Sequence, residues 1–336
     1  MNKIIFLIIS VIVSISCHKE NQTQSKWNII GLNYEGNLND IFALPSDTIM
    51  VLSTLDKTFQ KTCIFESNDA GITWTQRCFD KLDVGGSPSF YCFTHLKIYA
   101  GDFRSKDGGL NWYKAGDFKV GQMYFFNNNL GIGVSGFTIF KTYNSGNSFT
   151  MVYDSSSYVG CQFIQFLDSQ IGYASGGASF DNYNSGLIVK TIDGGNTWKP
   201  LPGTFKSIIG MSFITPDIGY IIINLYKGDV FTTYESGAEL LKTIDGGNTW
   251  KSINANLLDQ TKIIPFECYF SNELHGYICG AGSGSKILST DDGGITWNEE
   301  YANTSSDFTL NKMIFTSPKA GYAIGNDGLL LKRSPY

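Results

Sequence analysis

From residue 38 onward, short apolar runs follow one another closely, each broken by a polar turn carrying Gly, Asn, Asp or Ser. Runs of this length and punctuation predict short strands, and no ten-residue amphipathic stretch predicts a helix. One order of events recurs. An apolar run and a polar turn precede a Gly-headed strand that often ends in small residues, as in 163–166 then 172–176, 211–214 then 219–221, 266–270 then 276–280, and 313–315 then 321–325. A third strand, such as 187–191, 240–243 or 286–290, then enters an octapeptide. Residues 191–198 read Thr-Ile-Asp-Gly-Gly-Asn-Thr-Trp, return unchanged at 243–250 and nearly unchanged at 290–297. Looser copies stand at 67–74, 105–112 and 142–149. Their closing aromatics, Trp74, Trp112, Phe149, Trp198, Trp250 and Trp297, lie 38, 37, 49, 52 and 47 residues apart.

A unit of strand A, turn, strand B, loop, strand C, octapeptide and strand D makes four antiparallel strands in about 43 residues, the size of a propeller blade. The octapeptide suits a tight C–D hairpin. Asp69, Asp107, Asn144, Asp193, Asp245 and Asp292 can accept backbone N–H groups of the turn, and the second Gly can take a positive φ. Thr restarts the strand, and the closing aromatic buries its ring between sheets. These acids therefore read as structural. They do not form a calcium loop of the EF-hand kind, because the twelve-position ligand ladder ending in Glu is missing.

Blades can be started near Leu38, Ser89, Val120, Cys161, Ile209, Ile264 and Leu310, which makes seven. The last unit stops after strand C. Residues 26–32 form a spare strand opening on Trp27, much as strand D opens on Trp198 and Trp250 elsewhere. The prediction is an all-β, seven-bladed β-propeller of four-stranded antiparallel blades, monomeric, with the ring closed by the N-terminal strand so that no sheet edge is left open.

The N-terminus has a different pattern. Lys3 precedes an apolar run over 4–15, then Ser16 and Cys17, then a polar stretch. The run is short for a stable transmembrane helix and matches an exported leader. Its end resembles a bacterial lipoprotein signal, which implies cleavage before Cys17, lipid on its thiol, and localisation at the cell envelope on a membrane, the outer membrane foremost. The expected division is a signal at 1–16, a tether at 17–25 and the propeller at 26–336. Export also opens cysteine pairing. Cys63 and Cys78 flank one turn symmetrically, and Cys268 and Cys279 another, so either pair could close as a hairpin disulfide. There is no CxxC, the three His show no ligand spacing, and neither a metal nor a cofactor is expected.

Composition narrows the function. The net charge is −5, with no basic excess for binding nucleic acid. Arg77, Arg104 and Arg333 are the whole arginine content.

The octapeptide resembles the Asp-box, or BNR, repeat of sialidases, sortilin-type receptors, xyloglucan-cleaving glycosidases and photosystem II assembly factor propellers. The Gly-Tyr-Ala-x-Gly strand before the box resembles the last group and its bacterial relatives outside photosynthesis. The resemblance covers nearly all of 26–336 and implies the fold more firmly than any activity. A sialidase needs an arginine triad headed by an arginine before the first box, and none precedes Asp69. Xyloglucan-cleaving enzymes join two propellers, sortilins have ten blades, and the assembly factors carry an arginine-rich patch. None of these features is present. What the resemblance implies is a non-enzymatic scaffold or receptor that binds a protein or glycan partner.

In this topology the A–B turns and boxes share one face, and the B–C and D–A loops share the other. The B–C loops vary most in length. Those of blades 4 and 5 carry Phe180, Asp181, Tyr183, Tyr226, Lys227, Asp229, Phe231, Tyr234 and Glu235, aromatics mixed with charges as binding loops use them. The alternative expectation is a glycan-active hydrolase, whose carboxylates would come from Asp56, Asp181, Asp229 and Glu235 and would need a separation of roughly 5 to 9 Å.

Overall fold

A computed structural model describes residues 26–44, 47–53, 61–80, 90–101, 103–114, 121–136, 138–155, 160–177, 185–225, 237–282, 284–305 and 309–334. These residues form seven four-stranded antiparallel sheets. Six are built from consecutive strands within 40–80, 90–114, 122–154, 161–200, 208–254 and 263–303. The seventh takes strands A to C from Leu310–Ser317, Ala320–Gly325 and Leu330–Arg333, and strand D from Trp27–Ile30. Trp27 lies opposite Arg333 and Ile30 opposite Leu330, so the two ends of the chain close one sheet. Among the described residues one short helix, Leu257–Thr261, interrupts the strand pattern, in the connection from blade 5 to blade 6. No helix of the described residues is long and apolar enough to cross a membrane.

Every strand A neighbours the strand A of the blade before and after it, which makes strand A the innermost circle. The core is divided among the gaps between blades. Tyr173, Ile188, Ile208, Phe213 and Ile221 join blades 4 and 5, while Tyr220, Leu240, Cys268, Phe270 and Ile278 join blades 5 and 6. Within these gaps the strand-B tyrosine stacks on the strand-A phenylalanine of the next blade, Tyr173 on Phe213 and Tyr220 on Phe270. Such ring pairs add about 0.5–1.5 kcal/mol beyond their burial.

The innermost strands are also tied by polar groups across all seven gaps. Asp40 accepts the Phe90 N–H (2.8 Å), and the Tyr91 hydroxyl donates to the Phe125 carbonyl (3.2 Å). Gln122 accepts from Ile164, and Gln165 both accepts from and donates to the Phe213 backbone. Ser212 accepts from Phe270, and Glu267 from Met313. Lys312 returns to Asp40 through an ion pair of 2.5 Å. In six of the gaps a strand A side chain thus satisfies a backbone group of its neighbour, and in the seventh Lys312 and Asp40 pair side chain to side chain.

Cys63 and Cys78 face one another across the blade 1 hairpin and are bonded. Cys268 and Cys279 are not, and the pairing considered for them is corrected by register. The five-residue turn after Phe270 sets Cys268 opposite Ile278 and Glu267 opposite Cys279. The two thiols point to opposite faces of the sheet, Cys268 into the core shared with blade 5 and Cys279 into the core shared with blade 7.

Candidate functional site

Each Asp-box is a closed hydrogen-bond unit. In the fourth box, Thr191 is buried and its hydroxyl accepts the Gly195 N–H and donates to Asp193. The Asp193 carboxylate accepts the N–H groups of Asn196 and Thr197 and the Thr197 hydroxyl (2.6 Å). The same bonds recur at Asp69, Asp107, Asp245 and Asp292, while Asn144 does the equivalent work without charge. Bonds to the charged form lower a carboxyl's pKa. The Asn111 backbone N–H and side-chain amide hold Asp107 at about 2, and the Thr249 hydroxyl and N–H hold Asp245 at about 2. These carboxylates are spent on their own turns.

Both central positions of the turn take positive φ, not the second alone: Gly246 is at 72° and Gly247 at 92°. A Cβ on Gly247 would meet Leu201 of blade 4 at 2.5 Å, so the second glycine is also where the preceding blade packs. The closing Trp74, Trp112, Trp250 and Trp297 donate their indole N–H to the carbonyl of that second glycine position. Trp198 is buried, and Phe149 takes the same place without a donor.

The boxes do share a face with the A–B turns. The N–H at the first turn position of each box donates to an A–B turn carbonyl of its own blade, Ala70 to Asp47, Gly194 to Gln170, Gly246 to Asp217 and Gly293 to Leu274 among them. A Tyr on strand B and a basic residue on strand C then clamp the next blade on this face. Tyr99 and Arg104 hold the Ser145 carbonyl, Tyr173 and Lys190 that of Pro216, and Tyr322 and Lys332 that of Ala70. Lys141 reaches Gly194 and Asn196 in the same manner. The sequence signal was the basic residue immediately before the box's opening Ser or Thr. Its partner lies a whole repeat away, and sequence reasoning missed it.

All three arginines are occupied. Arg77 pairs with Glu66 (2.6 Å), Arg104 with the blade 3 box, and Arg333 with Glu300. Glu300, on strand D of blade 6, collects Arg333, Lys26 and the Trp27 indole. Burial opposes its ionisation, but the Arg333 guanidinium and Lys26 hold its carboxyl below the usual range. The strand that closes the ring is thereby bolted to its neighbour. Among the described residues no group of three His, Cys, Asp or Glu is placed to hold a metal.

On the opposite face, a pocket of about 490 Å³ is lined by 29–35, Asn303 and 327–329, beside the ring closure. The residues expected to bind a partner, Phe180, Asp181, Tyr183, Tyr226, Lys227, Asp229, Phe231, Tyr234 and Glu235, lie outside the described residues, as do Asp56 and Cys17. Their loops depart from strand B at Gly176 and Asn224 and rejoin strand C at Leu187 and Ala238, the strand ends remote from the boxes.

Seven closed blades with Asp-box hairpins make this an Asp-box propeller. The sequence profile of the photosynthesis system II assembly factor YCF48 matches residues 259–334. The chain is an Asp-box propeller similar to YCF48. YCF48 from Cyanidioschyzon merolae superposes with a TM-score of 0.65 at 18% identity, covering 92% of this chain and 98% of that one. YCF48 bound to D1 peptide gives 0.67 at 18% identity, covering 93% and 96%. An ancestral GH74 enzyme gives 0.63 at 13% identity, covering 90% of this chain but 45% of the enzyme. At these identities the structural likeness establishes the fold. A comparison with curated protein sequences found no match.

Proposed function

We propose that this chain is a non-enzymatic propeller of the bacterial cell envelope, held to a membrane by lipid on Cys17, that binds a protein partner through the B–C loops of blades 4 and 5. The observation that carries the binding reading is the likeness, over the whole ring, to a YCF48 propeller that binds the D1 peptide. Among the described residues, the arginines and box acids are taken up in turns and in gaps between blades, which leaves the loops for recognition. Arg77, Arg104, Arg333 and the box acids are each engaged in holding the ring. The pocket beside the closure lies on the same face as the long loops and adds Glu35 and Asp327 to it. The partner is read as a segment of a membrane or surface protein.

Two experiments test this. Metabolic labelling with a fatty acid should label the wild type and not Cys17→Ala; equal labelling of both contradicts the anchor. For the partner, crosslinking and capture from native membranes should compare wild type with Tyr226→Ala/Phe231→Ala. Loss of two interface aromatics costs on the order of 2 kcal/mol or more. The variant should recover far less of the partner while unfolding at the same temperature. Equal recovery contradicts the proposed face.

A further inference from the structure

The Asp-box hairpins carry residues that their geometry does not require. Ile72, Leu110, Tyr143, Ile192, Ile244 and Ile295 stand at the tips of the six boxes, 59% to 76% exposed. They sit at the second or sixth position of the box, where the five aliphatic side chains have no hydrogen bond to make, while the Tyr143 hydroxyl donates to Asn196 of the next box. One large apolar residue per hairpin on one face of the ring is not the scatter expected of a surface.

Blade 7 has no box. In its place the chain enters: Trp27 pairs with Arg333, which also lies opposite Gly321 at the start of strand B, next to the A–B turn. The Arg333 guanidinium donates to the Lys319 carbonyl in that turn. Residue 26 therefore leaves the ring on the box face, completing the circle of six apolar tips. Only eight residues, 18–25, lie between this point and Cys17. Fully extended they span at most about 30 Å, comparable to the hydrocarbon core of one bilayer.

We infer that the Asp-box face is the membrane-facing surface of this protein, its six apolar tips resting in the interfacial layer of a lipid bilayer. The inference rests on the lipid anchor proposed for Cys17 and fixes the orientation that anchor imposes. Ile and Leu side chains gain by leaving water for the headgroup and acyl boundary. The loops of blades 4 and 5 are then presented away from the bilayer.

The tryptophans report on this, because all six sit at the box-face ends of their strands: Trp27 opens the closing strand and the other five close boxes, with Trp74, Trp112, Trp250 and Trp297 half-buried there and Trp27 and Trp198 buried. The mature chain from Cys17 can be coupled through that thiol to a thiol-reactive lipid in phosphatidylcholine vesicles. The remaining cysteines are bonded or buried. Chemical coupling supplies the anchor whether or not cells do, so failure of docking is separable from failure of lipidation. With acyl chains brominated near the headgroup, tryptophan emission should fall relative to plain vesicles. Ile72→Ser, Ile192→Ser, Ile244→Ser and Ile295→Ser combined should restore most of it with an unchanged thermal midpoint. Equal emission in brominated and plain vesicles, quenching that survives the fourfold variant, or vesicle-bound chains that pair through their tips without quenching would each overturn the inference.

Discussion

The two faces of this ring are built by opposite rules. On one, six hairpins repeat the same bonds: a buried hydroxyl on Gly N–H, a carboxylate or amide on N–H groups of its own turn, and an A–B turn carbonyl on the first turn position. A Tyr and a basic side chain then tie that face to the following blade. On the other face the connections differ from blade to blade, from the single residue 283 between two paired glycines to the stretch 226–236. Repetition marks what seven sheets need in order to close on one another. Divergence marks where the ring has no structural claim on the sequence, and that is where an asymmetric partner can be read.

Breaking the closure should have the largest effect. A mature chain begun at residue 34 loses strand D of blade 7 and leaves Glu300 without Lys26 and Trp27. Soluble yield and thermal unfolding should both collapse. Glu300→Ala alone leaves Arg333 buried and unpaired, at a cost of about 3–5 kcal/mol by chemical denaturation. Its ionisation also sets a pH limit. The Glu300 carboxyl is held below its unfolded value, so its contribution is present above about pH 4.5 and is lost as pH falls through the folded pKa. Glu300→Gln should flatten that acid limb. Within the box, Thr191→Val leaves the Gly195 N–H without its acceptor and should cost about 1–3 kcal/mol. Loop variants on the other face should cost almost nothing in stability.

A smaller effect sharpens the same contrast at the channel. Burial pushes the Glu267 carboxyl up to about 7, against the pull of Lys312. A raised carboxyl binds its proton more tightly folded than unfolded. Its contribution is therefore whole below about pH 4.5 and is lost as pH rises towards 7. Glu267→Gln should remove that slope between pH 5 and 7 in a denaturation series, and a slope that persists assigns it to another group.

Much of the ring was legible because its repeats were. Seven blades, the last sheet lacking strand D, and Trp27 standing where Trp198 and Trp250 stand were enough to place the closure. The turn acids could be read as structural because Thr, Asp, Gly and Thr at fixed spacing leave few other bonds to make. The polar relay through strand A was not legible, since Asp40, Gln165 and Glu267 share neither type nor position and find partners a blade away. Cys268 and Cys279 misled because symmetry about a turn does not give register, and the turn's odd length put them on opposite faces. The apolar box tips were visible in the sequence, but only exposure distinguished them from core residues.

The central claim, that the varied face recognises protein while the repeated face holds the ring and its membrane, has one direct test. A photoreactive amino acid placed singly at Tyr226, Phe231, Ile192 or Ile244 in the full chain, activated in native cells, compares the two faces of the same two blades. Covalent protein adducts should form from 226 and 231, with lipid or no adduct from 192 and 244. Protein adducts from the box tips, with none from the loops, would contradict the account.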